Sequence, residues 1–457
     1  MRVHFIAIGG AGMSVVAELM LARGHEVSGS DSQASDVLDR LGRLGAQVHV
    51  GHDPAHVAGV DLVVISSAIR PDNPELRAAE AAGIEVIHRS QGLALAAADT
   101  DFVAVAGAHG KTTTSAMLAV ALREAGLDPS FAIGGRVLAL GTGAHLGAGS
   151  VFVAEADESD GSFLNYTPRV AIVTNIEPDH LDHYGTAAAF EAAFDEFAAR
   201  VRPDGAVIAC ADDDGARRFT ERARAAGIRV VTYGLAADAD VRIVDPELGV
   251  GSSSCRLRSA GGEFELDLAV PGAHNVANAT AAWCAGLELG VDPAAMASGL
   301  ATFSGTARRF EDRGTVAGVR VIDDYAHNPT KVGAAVATAR RAAGSGRVIV
   351  LFQPHLFSRT EAFAAEFADA LTGADEVVLT SIYPAREDPR PGVTSALITD
   401  RLPGSRYVPD HLEAAHAVAT AARRGDLVVT IGAGDVTRLG PVILADLAGR
   451  EGSGEAR

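Results

Sequence analysis

The residues best suited to chemistry stand in one run, Ala104-Val-Ala-Gly-Ala-His-Gly-Lys-Thr-Thr-Thr114, after an apolar stretch at 102–106 and before a helical run at 115–125. Glycines between a strand and a helix let backbone N–H groups converge on phosphate oxygens at the helix N-terminus. Lys111 adds an ammonium for the β- and γ-phosphates of a nucleotide, and the Thr112 hydroxyl can ligate Mg²⁺. The full Walker spacing would place glycine where Val105 stands; what remains is G-x-x-G-K-T from Gly107 to Thr112. Lysine is otherwise nearly absent: of 39 basic residues only Lys111 and Lys331 are not arginine. An ammonium is compact where a guanidinium is a planar fork, so such a lysine points to a place where arginine does not substitute.

Two further segments end apolar stretches in polar groups. Val153-Ala-Glu-Ala-Asp-Glu-Ser-Asp-Gly161 carries four carboxylates. Ligands of an open parallel sheet gather at the carboxyl ends of its strands, which places Glu155 to hold Mg²⁺ beside Thr112; a solvated acidic loop is the alternative. In Thr174-Asn-Ile-Glu-Pro-Asp-His-Leu-Asp-His-Tyr184, two histidines lie three apart, but no cysteine or third histidine stands at zinc spacing. His180 is the candidate for a second Mg²⁺ site. Near the start, Ile8-Gly-Gly-Ala-Gly-Met-Ser14 follows an apolar run and opens a helix, with Asp31 nineteen residues after Gly12. Val15 replaces the third glycine of a dinucleotide fingerprint. The loop therefore reads as one that meets a diphosphate, with NAD or a tight turn without ligand as alternatives.

These loops need elements to hold them. In the first hundred residues, short β-branched runs (3–8, 26–29, 61–65, 84–87) alternate with Ala/Leu-rich helical stretches (13–23, 35–44, 74–82), which argues a parallel sheet with helices on both faces. The pattern restarts at 102–106 and continues through 151–155, 170–175 and 206–209, then restarts at 320–323 and continues through 347–352, 376–380 and 426–431. Residues 240–270 are strand-rich and helix-poor, an antiparallel patch, and 449–457 read as a frayed tail. The expectation is an α/β protein of three domains: a Rossmann-like domain at 1–98, a central P-loop ATPase-type sheet at 99–307 and a Rossmann-like domain at 308–457.

A length of 457 residues suits about three domains. The formal charge of −19 argues against a face that wraps nucleic acid or anionic lipid, so a phosphorylated ligand must be met by a local device. Cys210, Cys255 and Cys284 are odd in number and lack metal spacing, as expected of reduced, buried thiols. Met1-to-Gly24 is broken by His4, the glycines and Glu18, and the uncharged 137–154 is broken by glycines, so neither reads as a signal or a membrane span. A cytoplasmic protein, monomeric or weakly dimeric, is expected.

Taken in order, the motifs resemble the Mur ligases, the ATP-dependent amide-forming enzymes of peptidoglycan assembly. The resemblance rests on Gly9-Gly-Ala-Gly-Met-Ser14, Ser66-Ser-Ala-Ile69, the loop at 107–114, Glu155-Ala-Asp-Glu-Ser-Asp160 and Asn175-Ile-Glu-Pro-Asp-His180. It continues in Pro271-Gly-Ala-His-Asn-Val-Ala-Asn278, Arg308-Arg-Phe310, Asp323-Asp-Tyr-Ala-His327, Phe352-Gln-Pro-His-Leu-Phe-Ser-Arg-Thr360, Tyr383-Pro-Ala-Arg386 and Gly432-Ala-Gly-Asp435. The Phe-Gln-Pro-His segment is more similar to the branch that adds alanine than to the branch that recycles whole tripeptides. A nicotinamide-dependent oxidoreductase built on residues 1–98, or a nucleotide-binding regulator without catalysis, are the rival readings.

The resemblance implies a first domain for the UDP part of UDP-N-acetylmuramate, a central domain for ATP, and a last domain that closes over ATP and receives L-alanine. It implies that Gly107, Ala108, His109, Gly110, Lys111, Thr112 and Thr113 cradle the phosphates and that Thr112, Glu155 and His180 serve two Mg²⁺ ions. It sets His274, Asn275 and Asn278 by the adenine, Asp324 by the ribose and Arg309 by the phosphates. Gly10, Ala11, Gly12, Asp31, His52 and Ser67 would meet the UDP moiety, and Tyr325, His327 and Arg359 the amino acid. His327 is the candidate proton acceptor. The sequence departs from the family pattern at Ala108, Asn328, Lys331 and Leu356, and the segment that follows His180 contains no lysine, so the carbamylated lysine of some sister ligases has no counterpart there.

Overall fold

The computed structural model describes every residue except Asp179, Val250, Arg386 and 453–457. Asp179 and Arg386, which belong to quoted motifs, and residues 453–457 of the expected tail lie outside the described residues, whereas 449–452, expected as frayed, end a helix that runs from Leu439 to Gly452. The chain forms two compact units, Met1–Thr306 and Ala307–Arg457.

The first unit opens with a five-stranded sheet: β1 (Arg2–Ile6), β2 (Glu26–Asp31), β3 (Gln47–Val50), β4 (Leu62–Ile65) and β5 (Glu85–His88), all parallel in the order β3-β2-β1-β4-β5. Helices α1 (Ala11–Ala22), α2 (Asp36–Arg43), α3 (Pro74–Ala81) and α4 (Arg89–Ala96) connect them. The apolar run at 3–8 pairs only to Ile6, because Ala7 turns left-handed (φ 62°) to start the glycine loop. Ser35 and Asn73 cap α2 and α3 with side-chain oxygens, and Pro74 starts α3 where a missing N–H costs nothing. Strand β3, Gln47-Val-His-Val50, has only four residues and none fully buried, so its signal is weak and sequence reading passed over it.

The same unit holds a ten-stranded sheet: β6 (Asp101–Ala106), β7 (Ser130–Ala132), β8 (Ala144–His145), β9 (Val151–Glu155), β10 (Val170–Val173), β11 (Ala206–Cys210), β12 (Val230–Gly234), β13 (Val241–Leu248), β14 (Ser253–Ser259) and β15 (Gly262–Leu268). Central strands such as Val170-Ala-Ile-Val173 are buried on both faces, as a parallel sheet covered by helices requires. Helix α5 (Lys111–Glu124) packs on this sheet; α6 (Leu181–Tyr184), α7 (Ala187–Ala199), α8 (Asp214–Ala225), α9 (Ala273–Glu288) and α10 (Pro293–Ala301) follow. The patch at 240–270 is antiparallel within itself, but β13 pairs parallel with β12, so it extends the main sheet. Cys210, Cys255 and Cys284 are free and buried.

The second unit has six strands: β16 (Glu311–Val316), β17 (Val319–Asp324), β18 (Val348–Phe352), β19 (Glu376–Leu379), β20 (Arg406–Tyr407) and β21 (Leu427–Ile431), in the order β16-β17-β21-β18-β19-β20. Among the described residues of this unit only β16 runs antiparallel, through a hairpin with β17. Asn328 caps α11 (Pro329–Ala343) by accepting from Lys331 N, which gives that departure from the family pattern a structural use. Among the described residues no helix is long and apolar enough to cross a membrane.

One buried carboxylate ties the amino-terminal sheet together. Glu75 has no exposed side-chain surface and accepts from Ser30 Oγ (2.5 Å), His52 Nδ1 (2.9 Å) and His56 Nδ1 (2.6 Å), with His4 Nε2 at 3.7 Å. Burial pushes its pKa up, but those hydrogen bonds outweigh it and bring it from 4.5 down to about 2. A depressed carboxylate stabilises the fold above its unfolded value and loses that contribution as pH falls through the folded one. Glu75 is thus expected to contribute on the order of 3 kcal/mol at neutral pH, fading below about pH 5. Melting temperatures between pH 7 and 2 should fall more steeply for the wild type than for Glu75→Gln, which starts lower; parallel curves would contradict this role.

Candidate active site

The phosphate loop joins the carboxyl end of β6 to α5. Gly107 has φ 129°, and a Cβ there would lie 2.2 Å from Thr174 Oγ1 and 2.9 Å from Asn175 O, so the loop closes onto the end of β10 only without a side chain. Thr174 Oγ1 donates to His109 O (2.6 Å), Asn175 Nδ2 donates to the same oxygen (3.0 Å), and His109 N donates to Asn175 Oδ1 (2.9 Å). Gly110 is left-handed at the N-cap of α5, with the Asn278 amide packed against it. Thr174 and Asn175 hold the loop's shape, and sequence reading gave them no role although both stand in a quoted segment.

Inside the loop, Lys111 Nζ donates to Gly107 O (2.6 Å) and to both oxygens of Glu158 (2.7 and 2.8 Å). Glu158 is buried, and burial raises its pKa against the pull of the Lys111 ammonium. His180, left-handed at φ 54°, sets Nε2 4.0 Å from Glu158 Oε1. Thr112 Oγ1 donates to Glu155 Oε2 at 3.0 Å, and Gly134 N donates to Glu155 Oε1 at 2.6 Å. The structure therefore gathers Lys111, Thr112, Glu155 and His180 around one loop and adds Glu158, which sequence reading left without a role. The signal was present: Glu158 lies three residues past Glu155, in the same burst of carboxylates.

The donors suit a small hard cation. A hydroxyl and a carboxylate oxygen 3.0 Å apart, beside a helix N-terminus that attracts phosphate, fit Mg²⁺, which typically takes one or two protein ligands and completes its shell from phosphate and water. Among the described residues no three His, Cys, Asp or Glu side chains gather into a ready-made metal cage.

Of the residues expected near adenine, Asn278 reaches the loop, His274 is exposed, and Asn275 donates its Nδ2 to Pro271 O (2.7 Å), closing the turn that starts α9. Ala108 is buried, and Thr113 lies in the first turn of α5.

The residues expected around UDP share the carboxyl edge of the five-stranded sheet. Gly10 caps α1, with Ala11 and Gly12 in its first turn, and the Arg89 side chain packs on Gly12. Asp31, at the end of β2, accepts from Gly9 N (3.0 Å) and so braces the glycine loop itself. His52 follows β3, its Nδ1 held by Glu75 and by Ser30 Oγ (2.9 Å). Ser67, past β4, contacts His88 Nε2 (3.1 Å) and Asp160 Oδ2, while Arg89 pairs with Asp157 (3.5 Å). The acidic segment at 155–160 thus reaches from the phosphate loop to the amino-terminal sheet. Arg89 and Asp157 drew no attention in the sequence, because each is an ordinary charge until the fold pairs them.

In the second unit, Asp324 ends β17 and accepts from Phe310 N and Ala326 N (both 2.9 Å); burial raises its pKa against those bonds. Arg308 donates to the carbonyls of Gly432 (2.5 Å), Ala433 and Gly434, whereas the Arg309 guanidinium lies 5.3 Å from the Tyr325 ring centre. Arg359 Nη1 approaches His355 Nδ1 (3.4 Å) and His327 O (3.5 Å). His327 Nδ1 meets Tyr325 O at 3.0 Å, so Nδ1 carries the proton and Nε2 a lone pair. Burial, with Lys331, Arg359 and His355 nearby, lowers its pKa to about 3, which leaves it neutral and weakly basic.

A phosphate loop on a largely parallel sheet, in a chain with two further α/β sheets, is the architecture of ATP-dependent ligases of the Mur type, and the sequence agrees. Residues 2–100 match the family described as Mur ligase family, catalytic domain; 105–286 match the Mur ligase middle domain; and 308–434 match the Mur ligase, glutamate ligase domain. The chain belongs to the Mur ligase family. It is 56% identical to a UDP-N-acetylmuramate–L-alanine ligase of Kineococcus radiotolerans over 98% of this chain and 97% of that one. It is likewise 56% identical to the enzyme of that name from Renibacterium salmoninarum, over 98% and 96% of the two chains. The crystal structure of a UDP-N-acetylmuramate-alanine ligase from Thermotoga maritima superposes with a TM-score of 0.82 at 28% identity, covering 99% of this chain and 100% of that one. A murein peptide ligase from Psychrobacter arcticus gives 0.74 at 25% identity, over 98% and 99%.

Proposed function

We propose that this protein joins L-alanine to the carboxylate of UDP-N-acetylmuramate at the expense of ATP, releasing ADP and phosphate, in the cytoplasmic synthesis of peptidoglycan precursors. The observation that carries the reading is the loop bearing Lys111 and Thr112 with Glu155 and His180 around it, in a chain 56% identical over nearly its whole length to ligases of that name. Residues 1–98 bind the UDP sugar through Gly10, Ala11, Gly12, Asp31, His52 and Ser67, and residues 99–307 bind ATP. Residues 308–457 supply Asp324 and Arg309 toward the nucleotide and Tyr325, His327 and Arg359 toward alanine.

A carboxylate does not accept an amine at neutral pH. Its oxygen first attacks the γ-phosphorus of ATP, ADP leaves, and an acyl phosphate remains. Lys111 stabilises the charge on the transferring phosphoryl group. Thr112, Glu155 and His180 would hold Mg²⁺, which neutralises phosphate charge when bound. The free amine of alanine then attacks the acyl carbon, phosphate leaves with the C–O bond electrons, and the nitrogen's surplus proton passes to a base or water. His327 Nε2 has the free lone pair for that step, but at a pKa of about 3 it needs an anion beside it to become basic enough. ADP release is expected only when UDP-N-acetylmuramate and L-alanine are both present. ADP formed at the same rate without alanine, or none with both, would remove the reading; a panel including glycine, serine and the tripeptide acceptor separates the family's branches.

A further inference from the structure

Lys111 is held by two groups of its own chain, Gly107 O and the Glu158 carboxylate. An ammonium has three N–H donors; here it meets Gly107 O at 2.6 Å and, side-on, the two oxygens of the Glu158 carboxylate at 2.7 and 2.8 Å. The Glu158 side chain is 1% exposed and that of Lys111 19%. Glu158 is also pinned through its main chain, where its carbonyl accepts from Tyr184 Oη (2.5 Å) and Gly161 N (3.2 Å). The carboxylate is therefore the fixed partner, and the lysine, on four methylenes, the one that can move.

We propose that Glu158 is the positioning residue of Lys111, a latch that competes with a nucleotide phosphate for the ammonium. This rests on reading the loop as the ATP site. A phosphate oxygen that takes up the third N–H competes with the Glu158 carboxylate for the charge on the same ammonium. Drawing Lys111 toward the phosphate leaves a buried carboxylate partly uncompensated beside an anion, with the His180 imidazole Nε2 4.0 Å away. That opposes binding. The contacts to Gly107 O and to the Glu158 carboxylate fix the direction of the third N–H, and that favours transfer. Glu158 thus acts with opposite signs on affinity and on turnover, which a merely structural acid would not do.

Glu158→Gln keeps the shape and removes the competing charge. Its dissociation constant for a non-hydrolysable ATP analogue, measured by calorimetry in EDTA, is expected to be roughly tenfold lower than that of the wild type. Its kcat is expected to fall by roughly tenfold or more, since the amide presents one acceptor where the carboxylate presented two. Glu158→Asp keeps the charge but withdraws it by one methylene, so both quantities should move the same way by less; it decides the matter if the amide variant fails to fold. Analogue binding no tighter in either variant, or tighter binding with unchanged kcat, would overturn the latch while leaving the ligase reading intact. A wild type that takes up no analogue, with or without Mg²⁺, would remove both.

Discussion

Lys111→Arg is expected to lower the rate of ADP release by at least roughly a hundredfold at saturating substrates, although the charge is kept. The ammonium sits among three oxygens, Gly107 O and the two of Glu158, all within 2.8 Å. That is a compact set of acceptors around a point charge. A guanidinium presents planar pairs of donors and a longer stem, so it can match the Glu158 carboxylate side-on but cannot at the same time reach back to Gly107 O, four residues earlier in the same tight loop. Arginine would accordingly remain paired with Glu158, as a bidentate ion pair stronger than the native one. The loss should appear in kcat more than in the KM for UDP-N-acetylmuramate, whose expected contacts lie on the five-stranded sheet. A coupled ADP assay on the variant reads this directly. Turnover within a few-fold of the wild type would mean that the lysine does not meet the transferring phosphate, and the functional reading would fall with it.

How legible was this site in the sequence? The loop at 107–112 and the acid at 155 could be read because their chemistry is local: glycines, an ammonium and a hydroxyl within six residues, and a carboxylate at the end of an apolar strand. The central strands were readable for a similar reason, since a run such as Val170-Ala-Ile-Val173 is apolar throughout only when both faces are covered. Glu158 was not, because one acid among four neighbours gives no sign of which turns inward. Glu155 ends a strand and faces Thr112, Asp157 and Asp160 turn toward Arg89 and Ser67, and Glu158 alone is buried against Lys111. That sorting is made by the turn at 156–161. Glu75 was invisible for a different reason: its partners His4, Ser30, His52 and His56 are scattered over more than fifty residues and meet only when β1, β2 and the segment after β3 are side by side. The antiparallel patch was recognised, but its continuity with the main sheet was not, since two paired residues of β12 and β13 make that join.

Gly107→Ala tests the loop's shape without touching any charge. Its φ of 129° lies where a side chain is strained, and the added methyl would sit 2.2 Å from Thr174 Oγ1, 2.9 Å from Asn175 O and 3.1 Å from Asn175 N. Two of those three neighbours are backbone atoms at the end of β10, fixed by its pairing with β6 and β11, so the loop and not the strand must give way. Strain and overpacking together are expected to destabilise the unit by about 2–5 kcal/mol. Movement of the loop would carry Gly107 O away from Lys111 and break the bonds from Thr174 and Asn175 to His109 O. Affinity for a non-hydrolysable ATP analogue should therefore fall by roughly a hundredfold or more, because converging N–H groups bind phosphate only while they point the same way. Adding Thr174→Ala should restore little: it removes the closest clash but leaves the backbone conformation and the contacts with Asn175, and it deletes a donor to His109 O. Calorimetry on the single and double variants reads both effects. If Gly107→Ala bound the analogue as the wild type does, the glycine would be a turn residue and nothing more, and the loop's geometry would carry no functional argument.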